Sequence, residues 1–355
     1  KYLLRILLRY FLLALLEDCD MSPDKQYDAN HGRPVQVGPK GPKITDSHDV
    51  GGMMDLKTAI AESSNVYFAS AIYDHYKENP RRYVEFLSNN LHLDRTVGLD
   101  AMGEKQSNLG DYKKGGKAYW NAHVLPNMGY GYTIEISPVQ TLALYNAVAN
   151  RGKMVAPRLI LRTERNGRVV NENKEKVIED KICRQSTVDT LRMFMESVSA
   201  EGTAKEYFSP DKCGFRSGSK TGTAQVDSEI NKVRYHRGDG AYYGSMVTYF
   251  PAEKPKYTIM TAIFTMKQDG KSYYGAGLAG PVQKKVATYL YNRDHNYAER
   301  WVRRSTMQPP SRVATWRRCA RWPVSMEIDT LSRSATVGVS VPRAKMARCT
   351  SRNST

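Results

Sequence analysis

Apolar and polar positions divide the chain into three textures. From Lys1 to Leu16, leucines are interrupted by Arg5 and Arg9, and the stretch merges into Leu12-Leu13-Ala14-Leu15-Leu16-Glu17, which predicts the end of a buried helix. Residues 17–293 alternate helical and strand periods with caps and turns between them, whereas residues 294–355 keep neither period. Asp55 predicts the N-cap of a short helix with Leu56, Ala59 and Ile60 at helical spacing. Ser63-Ser64-Asn65 interrupts it, and Val66 to Tyr76 predicts a second helix. Ser137-Pro138 is a hydroxyl N-cap followed by proline, whose missing N–H costs nothing at the first helical position. That helix runs through Leu142, Leu144 and Val148 and is expected to stop at Gly152. Ala241 to Phe250 and Lys256 to Thr265 are rich in aromatic and β-branched residues and flank Pro251-Ala252-Glu253-Lys254-Pro255. They predict a hairpin at the heart of an antiparallel sheet. A closing helix is expected from Pro281 to Tyr291. Helices, then a sheet, then a helix make an α+β fold rather than a parallel doubly wound one.

With 355 residues, 41% of them hydrophobic and 25% charged, the chain can bury a large core and has the composition of a globular protein. Its net charge of +17 raises a nucleic-acid reading. However, residues 301–355 hold ten arginines and one lysine against Glu327 and Asp329, so +9 of the excess sits there. The body is mildly basic, as suits work beside anionic cell-surface polymers or lipid, and no nucleic-acid partner is expected for it. Trp301, Trp316 and Trp322 lie in the same unpatterned stretch, which reads as a disordered basic tail or as a non-native segment such as a shifted reading frame. Cys19, Cys183, Cys213, Cys319 and Cys349 have no CxxC spacing, and the seven histidines form no HxxxH or HxH pair. Neither a metal nor another cofactor is expected. The Leu/Arg opening falls short of the roughly 20 apolar residues of a membrane span. Any anchor or export signal is expected upstream of Lys1 or is absent.

The sharpest chemical signal is Lys220-Thr221-Gly222-Thr223-Ala224-Gln225, preceded by Gly202-Thr203-Ala204 and followed by strand-rich sequence. An ammonium and two hydroxyls on a strand attract a carboxylate, and glycine removes the side chain that would block its approach. Upstream stands Ser63-Ser64-Asn65, which alone would read as a helix cap. Paired with a downstream Lys-Thr-Gly, Ser63 becomes a candidate proton shuttle and Asn65 a candidate holder of a substrate amide.

With Gly129-Tyr130-Gly131, Ser137-Pro138-Val139-Gln140, Phe250-Pro251-Ala252 and Gly277-Leu278-Ala279-Gly280-Pro281-Val282, these motifs resemble the penicillin-binding protein transpeptidases, more narrowly the class B, cell-division type, over about residues 12–293. The resemblance implies a five-stranded antiparallel sheet flanked by helices, as in serine β-lactamases. It implies serine acyl transfer from a D-Ala-D-Ala stem peptide to cross-link peptidoglycan, with β-lactams acylating the same serine. Catalytic roles fall to Ser63 and Lys220, and substrate binding to Asn65, Thr221, Gly222 and Thr223. A glycan synthase and divisome membrane proteins are the implied partners, on the periplasmic side of an inner membrane to which the parent protein is anchored.

One element of the family pattern is missing. Its nucleophile opens a helix as Ser-x-x-Lys, where the lysine one turn on can take the serine's proton. That motif should stand just before Leu12, yet residues 1–11 contain no serine. Ser217-Gly218-Ser219-Lys220 overlaps the Lys-Thr-Gly strand, and Ser22-Pro23-Asp24-Lys25 leads into a polar stretch with Gly and Pro, so it reads as a turn. The expected organisation is therefore an anomalous segment 1–16 in place of the nucleophile helix start, a transpeptidase domain 17–293, and a basic tail 294–355. As written, the chain should keep a carboxylate-binding strand and lack acyl-enzyme chemistry, which makes a non-catalytic binding protein or β-lactam sensor the alternative. A serine β-lactamase is disfavoured because no Glu-x-x-Leu-Asn is present, and Tyr119-Trp120-Asn121, which mimics another lactamase motif, falls in a Gly/Lys-rich loop.

Overall fold

The computed structural model describes residues 8–109, 120–226, 228–230, 233–236 and 238–294. Lys1 to Ile6, Tyr119, the tail tryptophans, Cys319 and Cys349 lie outside these residues.

Helix α1 (Leu8–Leu13) passes directly into one wider π turn (Ala14–Asp18), and every side chain from Tyr10 to Leu16 is buried. Glu17 fastens this segment by accepting from the Thr187 hydroxyl at 2.7 Å and from the Arg184 guanidinium at 3.2 Å. Four two-residue strands follow: β1 (Tyr27–Asp28), β2 (Val35–Gln36), β3 (Lys43–Ile44) and β4 (Met53–Met54), pairing β1 with β4 and β2 with β3. The Asp55 carboxylate caps α2 (Leu56–Glu62) by accepting from Thr58 N at 2.8 Å. Ser64 caps α3 (Asn65–Tyr76), and Asn79 caps α4 (Pro80–Asn89), each satisfying a backbone donor that the first helical turn leaves free. A short α5 (Val124–Met128) lies against α3, because a side chain at Gly129 would stand 2.8 Å from Phe68 O. Helix α6 (Pro138–Ala149) starts at Ser137, as the Ser-Pro pair predicts, but its C-cap is Asn150. Gly152, the expected stop, sits two residues later at φ +93° in the reversing turn.

Strand β5 (Met154–Val155) pairs with β8 (Val177–Glu179), and between them β6 (Arg162–Arg165) and β7 (Arg168–Glu172) form an exposed ribbon. Asn166 and Gly167, both at positive φ, make its tight turn. Helix α7 (Gln185–Ala200) and two single turns, α8 (Lys205–Phe208) and α9 (Pro210–Cys213), lead into β9 (Gly218–Gln225). A small ribbon, β10 (Ser228–Ile230) with β11 (Val233–Tyr235), precedes the long hairpin β12 (Ala241–Phe250) and β13 (Tyr257–Met266). Helix α10 (Gly275–Arg293) closes the unit.

Strands β9, β12 and β13 form one antiparallel sheet in the order β13-β12-β9, with Lys220 opposite Val247 and Gly222 opposite Ser245. Three strands in this sheet, rather than the expected five, are present among the described residues. The hairpin is accordingly not central as a whole, since β12 is the middle strand and buried throughout apart from Tyr242, while β13 is half-buried. Helix α10 also begins six residues earlier than expected. Its opening glycines permit this, because a side chain at Gly275 would overlap Gly222 O and Ser245 O, so helix and sheet touch backbone to backbone. Pro281 then lies inside the helix, where its ring demands local adjustment of the preceding turn.

The core is continuous from Tyr10–Leu16 through α2, α3, α4, α6 and α7 to Met246, Phe250 and Ala287, anchored by buried Phe11, Phe68, Phe194 and Phe208. Burial of each such side chain contributes roughly 1.5–3 kcal/mol. Among the described residues no helix is long and apolar enough to cross a membrane, and no three His, Cys, Asp or Glu side chains converge as metal ligands would.

Candidate active site

Alternation along β9 places Ser219, Thr221 and Thr223 on one face and Lys220 on the other. The face carrying Ser219 is tied down by a chain of buried hydroxyls. Ser217 Oγ donates to Ser199 Oγ at 3.3 Å and Ser199 Oγ to Ser219 Oγ at 2.9 Å. Ser219 bonds Thr248 at 2.9 Å, and Thr248 donates to Gln283 Oε1 at 2.8 Å. Gln283 Nε2 in turn donates to Met246 O. Polar groups buried this deeply must be paired, and this chain of partners links β9 to α7, β12 and α10.

Lys220, 1% exposed, donates from Nζ to Ser63 Oγ at 2.8 Å and to Thr221 O at 3.3 Å. The two motifs, 157 positions apart, therefore meet. Ser63 can reach Lys220 because it ends α2 in the left-handed conformation, φ +60° and ψ +42°, a turn that points α3 away from α2. Ser64 Oγ then accepts from Tyr67 N at 3.1 Å and donates to Asp46 Oδ2 at 2.8 Å. Asn65 N donates to Asp46 Oδ1, and the Asn65 side-chain amide donates to Thr45 O at 2.8 Å. Burial pushes the Asp46 carboxyl above its ordinary value, and the donors Ser64, Asn65 and Val66 oppose that shift without cancelling it.

Thr221 shares a 2.8 Å hydrogen bond with Thr203, and Thr223 Oγ1 accepts from Gly275 N at 3.0 Å. Gly202 explains the Gly-Thr-Ala motif, since a side chain there would stand 2.8 Å from Ala61 O, so only glycine brings the end of α7 against α2 beside Ser63. The structure thus gathers Ser63, Lys220, Thr221 and Thr223 around one strand, with Asn65 on the adjoining corner and Gly222 beneath Gly275.

Ser22 is elsewhere. Its Oγ accepts from Asp24 N at 3.3 Å in an exposed turn. In α1 the one hydroxyl side chain is Tyr10, fully buried and donating to Thr141 at 3.4 Å. Sequence reasoning missed Asp46, a lone acid in Ile44-Thr45-Asp46-Ser47 whose partners lie 18 to 20 positions on. It also missed the stacked rings of Tyr242, Tyr273 and Tyr274, with neighbouring centroids 4.5 Å apart, just before Gly275.

A Ser-x-Asn helix junction meeting a Lys-Thr-Gly edge strand supplies two of the three elements in the signature set of penicillin-binding proteins. The sequence profile of the penicillin binding protein transpeptidase domain matches residues 10–288, and the chain belongs to that family. The chain is 25% identical over 262 residues to the probable peptidoglycan D,D-transpeptidase PenA of Neisseria gonorrhoeae, covering 72% of this chain and 38% of that protein. It is also 25% identical over 289 residues to the penicillin-binding protein PbpB of Mycolicibacterium smegmatis, covering 80% of this chain and 42% of that one. The matches thus span less than half the length of these relatives. Among solved structures, the fold is similar to penicillin-binding protein 3 of Mycobacterium tuberculosis in complex with ampicillin, at TM-score 0.63 and 21% identity over 81% of this chain and 61% of that one. It is likewise similar to the apo transpeptidase domain of Burkholderia pseudomallei penicillin-binding protein 3, at TM-score 0.62 and 19% identity over 82% and 80% of the two chains.

Proposed function

We propose that the chain carries the transpeptidase unit of a class B, cell-division type peptidoglycan D,D-transpeptidase, and that as written it binds stem peptides and β-lactams without becoming acylated. The observation that carries this reading is the 2.8 Å contact of Lys220 Nζ with Ser63 Oγ beside the Thr221-Gly222-Thr223 edge. In this reading the terminal carboxylate of D-Ala-D-Ala lies along the free edge of β9, where the hydroxyls of Thr221 and Thr223 reach it from one face and the Lys220 ammonium, beside Ser63, from the other. Gly222 lets the peptide backbone lie close, Asn65 holds the penultimate amide, and Ser63 with Lys220 relays a proton to the leaving amine. In this reading residues 17–293 are the transpeptidase unit, with Tyr10–Leu16 packed into its core. The site faces the periplasm, with a membrane anchor, a glycan synthase and divisome membrane proteins as its surroundings in the cell.

Binding without turnover is favoured by the lack of serine in residues 1–11 and by the commitment of the Tyr10 hydroxyl to Thr141. Incubation with a fluorescent penicillin, followed by intact mass and calorimetry, tests the reading. Reversible, saturable binding with no adduct is expected. An adduct mapped to any serine would restore acyl transfer to this chain, and neither adduct nor binding would remove the cleft's function altogether.

A further inference from the structure

Ser63, Ser64 and Asn65 occupy the tightest corner of the site, and the groups holding it come from a different part of the chain. Asp46 Oδ2 accepts from the Ser64 hydroxyl, and its Oδ1 faces Asn65 N and Val66 N, the latter at 3.4 Å. A single carboxylate therefore takes up the N-terminus of α3 and the side chain of its cap, where the helix dipole also favours negative charge. Thr45, one residue earlier, supplies the carbonyl that orients the Asn65 amide.

Asp46 is itself seated by an unusual turn. Asn30, His31 and Gly32 are three consecutive residues at positive φ, +49°, +55° and +74°. For the two that are not glycine this conformation costs roughly 1–2 kcal/mol each, and such strain persists only where the surroundings enforce it. Enforcement comes from Asn30 N on Asp28 Oδ1 at 2.8 Å and His31 N on Gly51 O at 2.8 Å. The carbonyl so aimed, Gly32 O, accepts from Asp46 N at 3.0 Å. A side chain on Gly32 would overlap His48 O and stand 3.3 Å from the Asp46 Cβ, so the turn and the Asp46 segment are in backbone contact.

We propose that Asp46, seated by the left-handed turn Asn30–Gly32, is the positioning residue that fixes the Ser63–Asn65 corner against Lys220. It touches neither the reacting atoms nor the peptide of the proposed function. It acts by fixing the direction in which α3 leaves Ser63, and with it the oxygen that Lys220 meets and the amide that Asn65 presents.

The test reads Lys220 directly. With 15N-lysine in the full chain, the buried Lys220 ammonium should give a side-chain signal protected from exchange with water. Asp46→Ala and Gly32→Ala should each speed that exchange at least tenfold, and Asp46→Asn, which keeps one acceptor oxygen, should restore it to within about threefold. Ser64→Ala should give an intermediate effect and decides the matter if Asp46→Ala does not fold. Gly103→Ala is the control, because Gly103 also has positive φ, +89°, with nothing within 4 Å of an added Cβ. It should lower the Tm while leaving Lys220 protected. A second arm measures the Kd of N-acyl-D-Ala-D-Ala, expected to weaken at least tenfold in Asp46→Ala and Gly32→Ala. This arm rests on the function proposed above, whereas the exchange arm does not, so native protein that protects Lys220 but binds no peptide would sink only the function. Unprotected Lys220 in the native chain would overturn the positioning role. So would Asp46→Ala and Gly32→Ala variants with lowered Tm but Lys220 exchange within twofold of native.

Discussion

Replacing Lys220 by methionine separates binding from stability. The lysine is almost wholly buried and donates to Ser63 Oγ at 2.8 Å and Thr221 O at 3.3 Å. Burying an ammonium costs several kcal/mol, so an uncharged side chain of similar volume sheds that cost together with the hydrogen bonds that offset it. Methionine keeps most of the volume and drops the charge, while Ser63, being partly exposed, can turn its hydroxyl to water. The Tm of Lys220→Met should therefore equal or exceed that of the native chain. Binding should move the other way. A charge-assisted hydrogen bond to a peptide carboxylate contributes about 2 kcal/mol, so its loss should weaken the Kd roughly thirtyfold at 1.4 kcal/mol per decade. Calorimetric titration of both proteins with N-acyl-D-Ala-D-Ala provides the comparison. A Kd for Lys220→Met within threefold of native would refute the placement of the carboxylate on this strand.

Gly275→Ala should cost about 1–3 kcal/mol in urea unfolding, because its Cβ must displace Gly222 O and Ser245 O, which are backbone atoms. Asp55→Ala removes the cap that accepts from Thr58 N and should cost about 1 kcal/mol by the same measurement. Asp100, held below the ordinary carboxylate range by the Leu159 and Ile160 backbone N–H groups, contributes stability that is present above about pH 4 and lost as the pH falls through its folded value. Asp100→Asn should accordingly flatten the decline of stability below about pH 4, and an unchanged acid limb would count against that assignment.

Much of the scaffold is legible locally. Asp55, Ser137-Pro138 and the two β-branched runs around Pro251 fix helix starts and a hairpin within a few residues of themselves, and the structure has α2, α6 and β12–β13 there. Ends are less legible. Asn150 rather than Gly152 caps α6, and α10 starts at Gly275 because its first turns lie against the backbone of Gly222, a contact that spans more than fifty residues. The site follows the same division. The residue types of Lys220 and Ser63 are readable as motifs, but the left-handed φ that turns Ser63 toward Lys220 is a helix-end cap closed by Ser63 N on Ile60 O and Ser64 N on Ala59 O, which the Ser-Ser-Asn run does not announce. Asp46 carries no sequence signal, since its role comes from a strained turn fourteen residues before it and a helix cap eighteen residues after it. The place of β13 at one side of the sheet is equally invisible, because its sequence is as apolar as that of β12.

If the Lys220–Thr223 strand receives a peptide's terminal carboxylate, the chain must tell a free acid from its amide. Titrating the native chain with N-acyl-D-Ala-D-Ala and with the same peptide bearing a C-terminal amide tests it most directly. Saturable binding of the free acid is expected, with at least tenfold weaker binding of the amide. Equal affinity for the two, or no saturable binding of the acid, would contradict it.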